Sequence, residues 1–245
     1  MAFFGTLIVL VVIVLGQLVA GGDPIDLFQI VGLVIVFGGS FGILIVGNRS
    51  EDLVEAVGLL KKVFFSSESS SNKIQTEIIE IAKLVRRDGL LVLDKKAAET
   101  DDPLLKRALL YITEGMESKD IRAILHEEEK SQVGKFDRGI TVWEGAASVA
   151  PALGIVAAVI GLIPAVSAID NPKILVDGMK GSLVSLVYGM VLANVFFSPW
   201  VQKLRTLTEF NFIRGKLIEE GVAGIQEGQS PAALDERLKA IVNYG

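Results

Sequence analysis

The sequence predicts an all-α, polytopic membrane protein with four transmembrane helices and a helical cytoplasmic domain between the second and the third. Two observations carry this prediction. The chain of 245 residues is 51% hydrophobic, with a mean hydropathy of +0.51, which exceeds what a soluble domain of this length usually shows. Its charged residues are concentrated at 49–138 and 202–239, so apolar and polar segments are separated along the chain.

Four apolar segments are long enough to span a bilayer. An α-helix rises about 1.5 Å per residue, so a hydrocarbon core of about 30 Å requires about 20 apolar residues. Segments 3–20, 28–46, 146–168 and 181–201 come close to or meet this requirement. The first lacks a basic leading region and a small-residue cleavage motif, so we interpret it as a retained helix and not as a signal peptide.

Basic residues predict the orientation of these helices. The connection at 21–27 has no Lys or Arg, the one at 169–180 has two, and the other twenty-two lie in the long insert and the C-terminal tail. The positive-inside rule then places the insert and both termini in the cytoplasm. The predicted domains are a first transmembrane hairpin, a cytoplasmic helical domain, a second hairpin and cytoplasmic C-terminal helices, at 1–48, 49–145, 146–203 and 204–245.

The predicted spans contain no acid or base at mid-depth. A chain that moved ions by itself would be expected to carry an ionisable side chain there, so any titrating carboxylate must come from a partner. Hydroxyls and an amide are the polar groups that remain, on Ser148, Ser182, Ser185, Tyr188 and Asn194. Small residues in the spans indicate that helices approach closely; these are Gly38, Gly39, Gly42, Gly154, Ala157, Ala158 and Gly161. Prolines indicate helix kinks or carbonyls without a helical donor; these are Pro151, Pro164 and Pro199.

The composition argues against several function classes. There is no cysteine, so disulfides and thiolate metal sites are excluded, and the single histidine, His126, leaves little for a transition-metal site. A net charge of −5 gives no indication of nucleic-acid binding. No nucleophile–base pair, phosphate loop or metal-ligand spacing is present, so we expect no enzyme and no cofactor.

The long insert reads as helices separated by polar turns. The run at 66–72 is typical of a flexible connector, and apolar spacing predicts a helix over about 73–87 that Gly89 interrupts. Asp102 followed by Pro103 predicts a helix N-terminus. Ser118 opens a further helix that we expect to end at about 132. In the C-terminal tail, Ser230–Pro231 starts the last helix of the chain.

Five collinear motifs together resemble the MotA/PomA family, the A subunits of the bacterial flagellar stator. They cover nearly the whole chain: RRDGLLVLD at 86–94, ETDDPLLKRAL at 99–109, PALGIVAAVIGL at 151–162, ANVFFSPWVQKL at 193–204 and LIEEGVAGIQEGQSP at 217–231. The resemblance implies a homopentameric ring in the bacterial inner membrane around two one-span MotB/PomB-type subunits that carry the ion-binding Asp. It also implies that ion flow turns the ring and that cytoplasmic charges push the rotor protein FliG.

The resemblance assigns roles to individual residues. Arg86 matches the rotor-contacting arginine, Asp94 stands where the family usually has Glu, and Arg87 and Glu128 extend the same charged set. Pro151 and Pro199 match prolines of the third and fourth spans that shape the ion site. Ala158 replaces the threonine of sodium-type members, and Ser185 lies beside the second threonine position, so we expect protons to be the transported ion and sodium to be the alternative.

Two other function classes remain open at this point. An ExbB/TolQ-like energiser also uses proton flow, but such members have three spans with the long insert after the first. A non-conducting membrane scaffold would explain the spans but not the collinear motifs. A neighbouring gene for a one-span protein with an Asp in its span would favour the stator.

Overall fold

The computed structural model describes residues 2–65 and 71–244, and every regular element in these residues is helical. The chain divides into two compact units. The first comprises Met1–Ser66 and Phe136–Arg205, and the second comprises Ser67–Lys135 and Thr206–Gly245. Most of the predicted connector at 66–72 lies outside the described residues, and its last two positions belong to a helix.

The first unit begins with two apolar helical segments. Helix α1 covers Ala2–Val19 and is followed by a 3₁₀ turn at Pro24–Leu27. The second apolar segment runs from α2 (Ile30–Leu33) through a π-helical stretch (Val34–Gly38) into α3 (Gly39–Gly47). These elements confirm that the first two apolar segments are helical.

The remaining elements of both units follow in chain order. They are α4 (Ser50–Phe65), α5 (Ser71–Asp88), α6 (Val92–Glu99), α7 (Pro103–Thr113), α8 (Ser118–Ser167), α9 (Pro172–Val191), a second π-helical stretch (Leu192–Phe197), α10 (Ser198–Gln226) and α11 (Pro231–Tyr244). Helix α5 ends before Gly89, whose φ of +82° favours glycine, so the predicted interruption is confirmed.

Helix α8 differs from its prediction. We expected one helix to end at about 132 and a separate span to begin at 146, but Ser118–Ser167 forms one helix that contains Pro151 and Pro164. No strong stop signal lies between 132 and 146, and in an apolar environment a helix keeps its remaining hydrogen bonds because no water is available to replace them.

The fourth apolar helix also starts earlier than predicted. Helix α9 begins at Pro172 and not at 181, because the Asn171 side chain accepts hydrogen bonds from the N–H groups of Lys173 and Ile174. The connection after α8 is therefore four residues, 168–171. Helical structure then continues to Gln226, so no break separates the last span from the tail at 203–204.

Three helical stretches are long and apolar enough to cross a membrane, namely Pro24–Gly47, Ser118–Ser167 and Pro172–Gln226. A shorter apolar helix covers Phe4–Val19. Helical stretches of this length and composition are typical of a membrane protein.

The second unit has its own hydrophobic core. Helices α5, α6, α7, α10 and α11 and the first part of α8 each contribute fully or almost fully buried aliphatic side chains. Burial of such side chains is the main stabilising contribution in a soluble helical domain. The largest include Ile78, Leu93, Leu105, Leu109, Ile121, Leu125, Leu217, Ile218, Leu234 and Leu238.

Candidate functional site

Glycines bring α8 and α9 into close contact within the first unit. A Cβ atom added at Gly154 would lie 3.1 Å from the Gly189 Cα and 3.1 Å from the carbonyl oxygen of Ser185. A Cβ atom at Gly189 would lie 2.7 Å from the carbonyl oxygen of Ala150. About two turns further along α8, a Cβ atom at Gly161 would lie 2.9 Å from the Ser182 hydroxyl. The two backbones therefore approach as small-residue helix pairs do in membranes.

The structure places Ala158 and Ser185 at this α8–α9 contact. Ala158 lies one turn after Gly154 on the same helix face and is buried. Ser185 is 2% exposed, and its hydroxyl donates a 2.9 Å hydrogen bond to the Gly181 carbonyl. The hydroxyl hydrogen of Ser185 is therefore bonded within its own helix. Because Ala158 has no side-chain oxygen, Ser185 provides the side-chain oxygen of this pair.

An open groove of about 450 Å³ adjoins Ser185. It is lined by residues at the start of the second apolar segment, near the end of α8 and in the middle of α9. Its polar side chains come from Gln29 and Ser185, and the remaining lining is apolar or glycine: Val31, Ile160, Gly161, Ile163, Pro164 and Gly181. The lining of this groove contains no ionisable side chain.

Pro151 lies beside the α8–α9 contact, and Pro199 lies in α10 of the same unit. Pro151 is half-buried inside α8, one turn before Gly154, and leaves the Ala147 carbonyl without its helical donor. Pro199 is exposed near the start of α10, directly after the π-helical stretch Leu192–Phe197. A π-helical stretch redistributes backbone hydrogen bonds and is often found at functional sites.

Tyr188 ties α9 to the start of the second apolar segment. Its hydroxyl accepts a 2.7 Å hydrogen bond from the Gln29 N–H and donates to the Leu27 carbonyl. The first N–H groups of a helix lack intrahelical partners, so this contact satisfies one of the groups that a membrane would leave unpaired. The sequence identified Tyr188 as a polar group at depth but gave no signal for its partners.

Aromatic rings and ion pairs mark another part of the first unit. Trp143 packs against Phe197 and Trp200, with ring centroids 5.7 and 5.4 Å away, and its indole N–H donates a 3.0 Å bond to the Ala56 carbonyl. Glu144, next along α8, pairs with Arg205. Tryptophans beside charged residues are typical of a membrane–water interface.

Arg86 and Asp94 both lie on the surface of the second unit. Arg86 is exposed near the end of α5, and Asp94 is exposed in the first turn of α6. Within residues 2–65 and 71–244, neither side chain has a recorded hydrogen bond or ion pair. Both charges are therefore available to another molecule.

Arg87 and Glu128 are engaged within the second unit. The Arg87 guanidinium donates two hydrogen bonds to Asp88, which raise the pKa of Arg87 and lower the pKa of Asp88. Glu128 forms an ion pair with Arg107. The structure thus distinguishes two unpaired charges from two paired ones in the set that the resemblance named.

Asp102 has two roles that the sequence predicted only in part. Its carboxylate caps α7 by accepting 2.9 and 3.1 Å bonds from the N–H groups of Leu104 and Leu105, as predicted. It also pairs with Arg214 of α10. Burial raises the pKa of Asp102, but the hydrogen bonds from Arg214 and from these N–H groups outweigh it and bring the pKa below its ordinary value.

Glu129 is a buried acid that sequence reasoning missed. It is 7% exposed, and its Oε1 atom has no hydrogen-bond partner among the described residues. Burial and the nearby charge of Glu219 raise the pKa of Glu129 to about 7. The run Glu127–Glu129 appears uniform in sequence, and only the position of α10 distinguishes its last member.

Comparisons with known proteins agree with these features. Residues 96–239 match the model of the MotA/TolQ/ExbB proton channel family, and residues 3–89 match the motility protein A N-terminal model. The uncharacterized protein YtxD of Bacillus subtilis is 29% identical over 96% of this chain and 85% of its own length. Motility protein A of Helicobacter pylori is 26% identical over 98% of this chain and 92% of its own length.

A solved structure extends the likeness to three dimensions. A chain in the structure of C. jejuni MotAB matches with a TM-score of 0.92 and 26% identity, covering 98% of this chain and 94% of that one. The matched family model covers more than half of the sequence, and the motility-specific model covers most of the remainder. The chain belongs to the MotA/TolQ/ExbB proton channel family, as a flagellar stator subunit of the motility protein A type.

Proposed function

We propose that this chain, with a MotB-type one-span partner, converts proton flow across the bacterial inner membrane into rotation of a homopentameric ring and torque on the rotor. The observation that carries the proposal is the match of 98% of the chain to a MotAB stator structure. The apolar segments themselves contain no ionisable residue at mid-depth, so the ion-binding carboxylate is supplied by the partner.

The proposed topology has four spans with both termini in the cytoplasm. Helix α1 has 18 residues, which span about 27 Å and nearly match the hydrocarbon core. The second unit, which carries most of the basic residues, is the cytoplasmic domain. The connections 20–29 and 168–171 face the opposite side, where Asp26 and Lys180 form a 3.3 Å ion pair.

The ion path uses the α8–α9 contact and the partner's carboxylate. Ala158 and Ser185 lie at the contact, and Pro151 stands one turn from its glycine crossing. Protonation of a partner carboxylate beside them removes a charge from an apolar surface, which changes the packing that this surface favours. Pro199 and the π-helical stretch before it transmit this change along α10.

The rotor is engaged by surface charge in the second unit. Arg86 and Asp94 are exposed and lack ion pairs within the described chain, so they are the charges that meet the rotor protein FliG. Charge complementarity steers encounter and fixes register more than it adds affinity, which suits repeated engagement and release. Arg87 and Glu128 contribute to the field of this surface while remaining paired to Asp88 and Arg107.

Protons are the proposed ion because the contact offers few oxygen ligands. Ala158 has none, and Ser185 offers one hydroxyl oxygen, whose hydrogen is donated to the Gly181 carbonyl. A hard cation such as sodium needs several oxygens to replace its hydration shell.

The test is complementation in a flagellated host that lacks its own stator. The chain is expressed with the one-span protein that has an Asp in its span, and swimming speed is measured. We expect motility with the intact pair, none when that Asp is changed to Asn, and equal speed when potassium replaces sodium. Strict dependence on sodium would overturn the proton assignment, and a stable complex that never restores motility would favour the scaffold.

An ExbB/TolQ-like energiser is disfavoured by a specific observation. The shared family model includes those proteins, but the additional match at residues 3–89 is to the motility protein A N-terminus.

A further inference from the structure

Three side chains of types that bind metal ions lie close together in the second unit. His126 and Glu129 lie three residues apart on α8 and therefore share a helix face. Glu219 comes from α10. One potential ligand atom of each lies within 4.8 Å of the other two, and the His126 Nδ1 atom is 3.8 Å from a Glu219 oxygen.

The buried oxygen of Glu129 indicates that a further atom or ion binds between these three side chains. Its Oε1 atom is sealed from solvent and receives no hydrogen bond from the described residues. An unsatisfied buried carboxylate oxygen is costly, so such atoms call for a ligand or a proton. Gly215 makes room for the group, because a Cβ atom there would lie 2.7 Å from Oε1 and 2.8 Å from Cδ.

We propose that His126, Glu129 and Glu219 bind a divalent first-row transition-metal cation, with Zn²⁺ as the reference ion, and that this cation joins α8 to α10. An imidazole nitrogen with two carboxylates suits zinc or a similar metal, whereas calcium and magnesium prefer oxygen ligands throughout. Three protein ligands leave a fourth position for water.

The side chains require only a modest adjustment to bind the metal. Metal–ligand bonds of about 2.0–2.2 Å place tetrahedral ligand atoms about 3.4 Å apart. The His126 Nδ1 atom and the Glu219 oxygen, now 3.8 Å apart, must therefore approach each other by a few tenths of an ångström. The His126 side chain is 60% exposed and can rotate, while Glu129 is held in place by its burial.

Positively charged side chains near the site influence how tightly it should bind the metal ion. Lys216 interacts electrostatically with both Glu129 and Glu219, so it partly neutralises the site and competes with the metal. Arg122 is occupied by ion pairs with Glu220 and Glu227. We therefore expect weaker binding than in a structural zinc site with four uncompensated thiolates.

The experiment uses the full-length chain in detergent, with an affinity tag other than polyhistidine. Because the protein has one histidine and no cysteine, few other ligands compete for the metal. After treatment with EDTA, Zn²⁺ is titrated by calorimetry, with Mg²⁺ in parallel. We expect one Zn²⁺ per chain and a shift of the unique imidazole resonances in NMR spectra, with no comparable effect of Mg²⁺.

Three variants test the assignment. His126→Ala and Glu219→Gln should each weaken Zn²⁺ binding on the order of ten- to hundredfold or more. Glu127→Gln removes an exposed acid from the same turn and should leave binding unchanged. Circular dichroism checks folding, and Glu219→Gln decides the question if the histidine variant is unfolded. Wild-type affinity in both ligand variants, or no Zn²⁺ binding at millimolar concentration, would overturn the site.

Discussion

Gly154 and Gly189 meet backbone to backbone where α8 crosses α9. A Cβ atom on Gly189 would lie 3.0 Å from the Gly154 Cα, closer than real Cβ contacts normally allow. The two helices present small residues at four-residue spacing, Ala150, Gly154 and Ala158 on α8 and Gly181, Ser185 and Gly189 on α9. This spacing keeps one face of each helix flat, so packing and not burial from water stabilises the contact.

Replacing Gly189 by Ala should therefore destabilise the protein. The added methyl group meets the Ala150 carbonyl at 2.7 Å, and backbone cannot rotate away as a side chain can. We expect a loss of about 1–3 kcal/mol, measured as a lower unfolding temperature of the purified protein in detergent. Gly16→Ala is the matched control, because a Cβ atom there meets nothing within 4 Å. Equal unfolding temperatures for the two variants would show that the helices separate more easily than this contact implies.

Sequence periodicity predicted the helical class well, because apolar segments and helix caps are local signals. Asp102, Pro103 and Gly89 each mark a helix end through their own side chain or backbone preference, and the structure has helix ends at all three positions. The limits of the long helices were harder to predict. We expected a separate span to begin at 146, yet α8 runs through this position without a break.

Long-range partners could not be predicted from single residues. Arg214 is 112 positions from Asp102, and nothing in either local sequence selects this pair among the available charges.

The prediction that small residues mark helix contacts held for only some of them. Gly154 and Gly161 contact α9, whereas a Cβ atom added at Gly38 or Gly42 would meet nothing within 4 Å among the described residues. The role of a small residue therefore depends on what lies opposite its helix face.

The ion pair between Asp102 and Arg214 should contribute strongly to the stability of the second unit. Both side chains are largely buried, with side-chain exposures of 10% and 24%. Asp102→Ala removes the helix cap and leaves Arg214 unpaired, so we expect a loss of about 3 kcal/mol in the free energy of unfolding. Asp102→Asn retains a capping oxygen and should lose less. Asp101→Ala changes an exposed neighbour and should have little effect.

The same pair predicts a pH dependence. The hydrogen bonds from Arg214 and from the α7 N–H groups hold the pKa of Asp102 below its ordinary value despite the opposing effect of burial, so the folded state binds the proton less tightly than the unfolded state. Its contribution is fully present above about pH 3.8 and is lost as the pH falls through the folded-state pKa. The stability difference between wild type and Asp102→Ala should therefore shrink in acid. A difference that stays constant from pH 7 to pH 3 would contradict this linkage.

The indole of Trp143 should stabilise the first unit through one buried hydrogen bond. Trp143 is 3% exposed, and its N–H donates to the Ala56 carbonyl. Trp143→Phe keeps an aromatic ring but leaves this carbonyl without the indole donor, at a cost of about 1–3 kcal/mol. Thermal unfolding followed by circular dichroism measures the change. Trp200→Phe is the comparison, since no hydrogen bond of its indole is recorded in the described residues, and it should be the milder substitution.

Arg86 and Asp94 should affect motility without affecting stability. Both are exposed and unpaired in the described chain, so their removal costs no internal contact. Arg86→Ala and Asp94→Ala are expected to reduce swimming at wild-type membrane levels, and Arg86→Glu should be more severe because it adds like-charge repulsion. Asp94→Glu keeps the charge with one more methylene and should remain motile.

Glu117→Ala provides the control for these charge changes, since it removes an exposed carboxylate of the same unit that has only a surface ion pair with Lys119. A charge reversal on FliG that restores swimming to Arg86→Glu, but not to Arg86→Ala, would identify direct electrostatic contact. Normal swimming of both alanine variants would mean that the rotor meets a different surface.

Because Glu128 pairs with Arg107, Glu128→Ala should instead combine a motility defect with a measurable loss of stability.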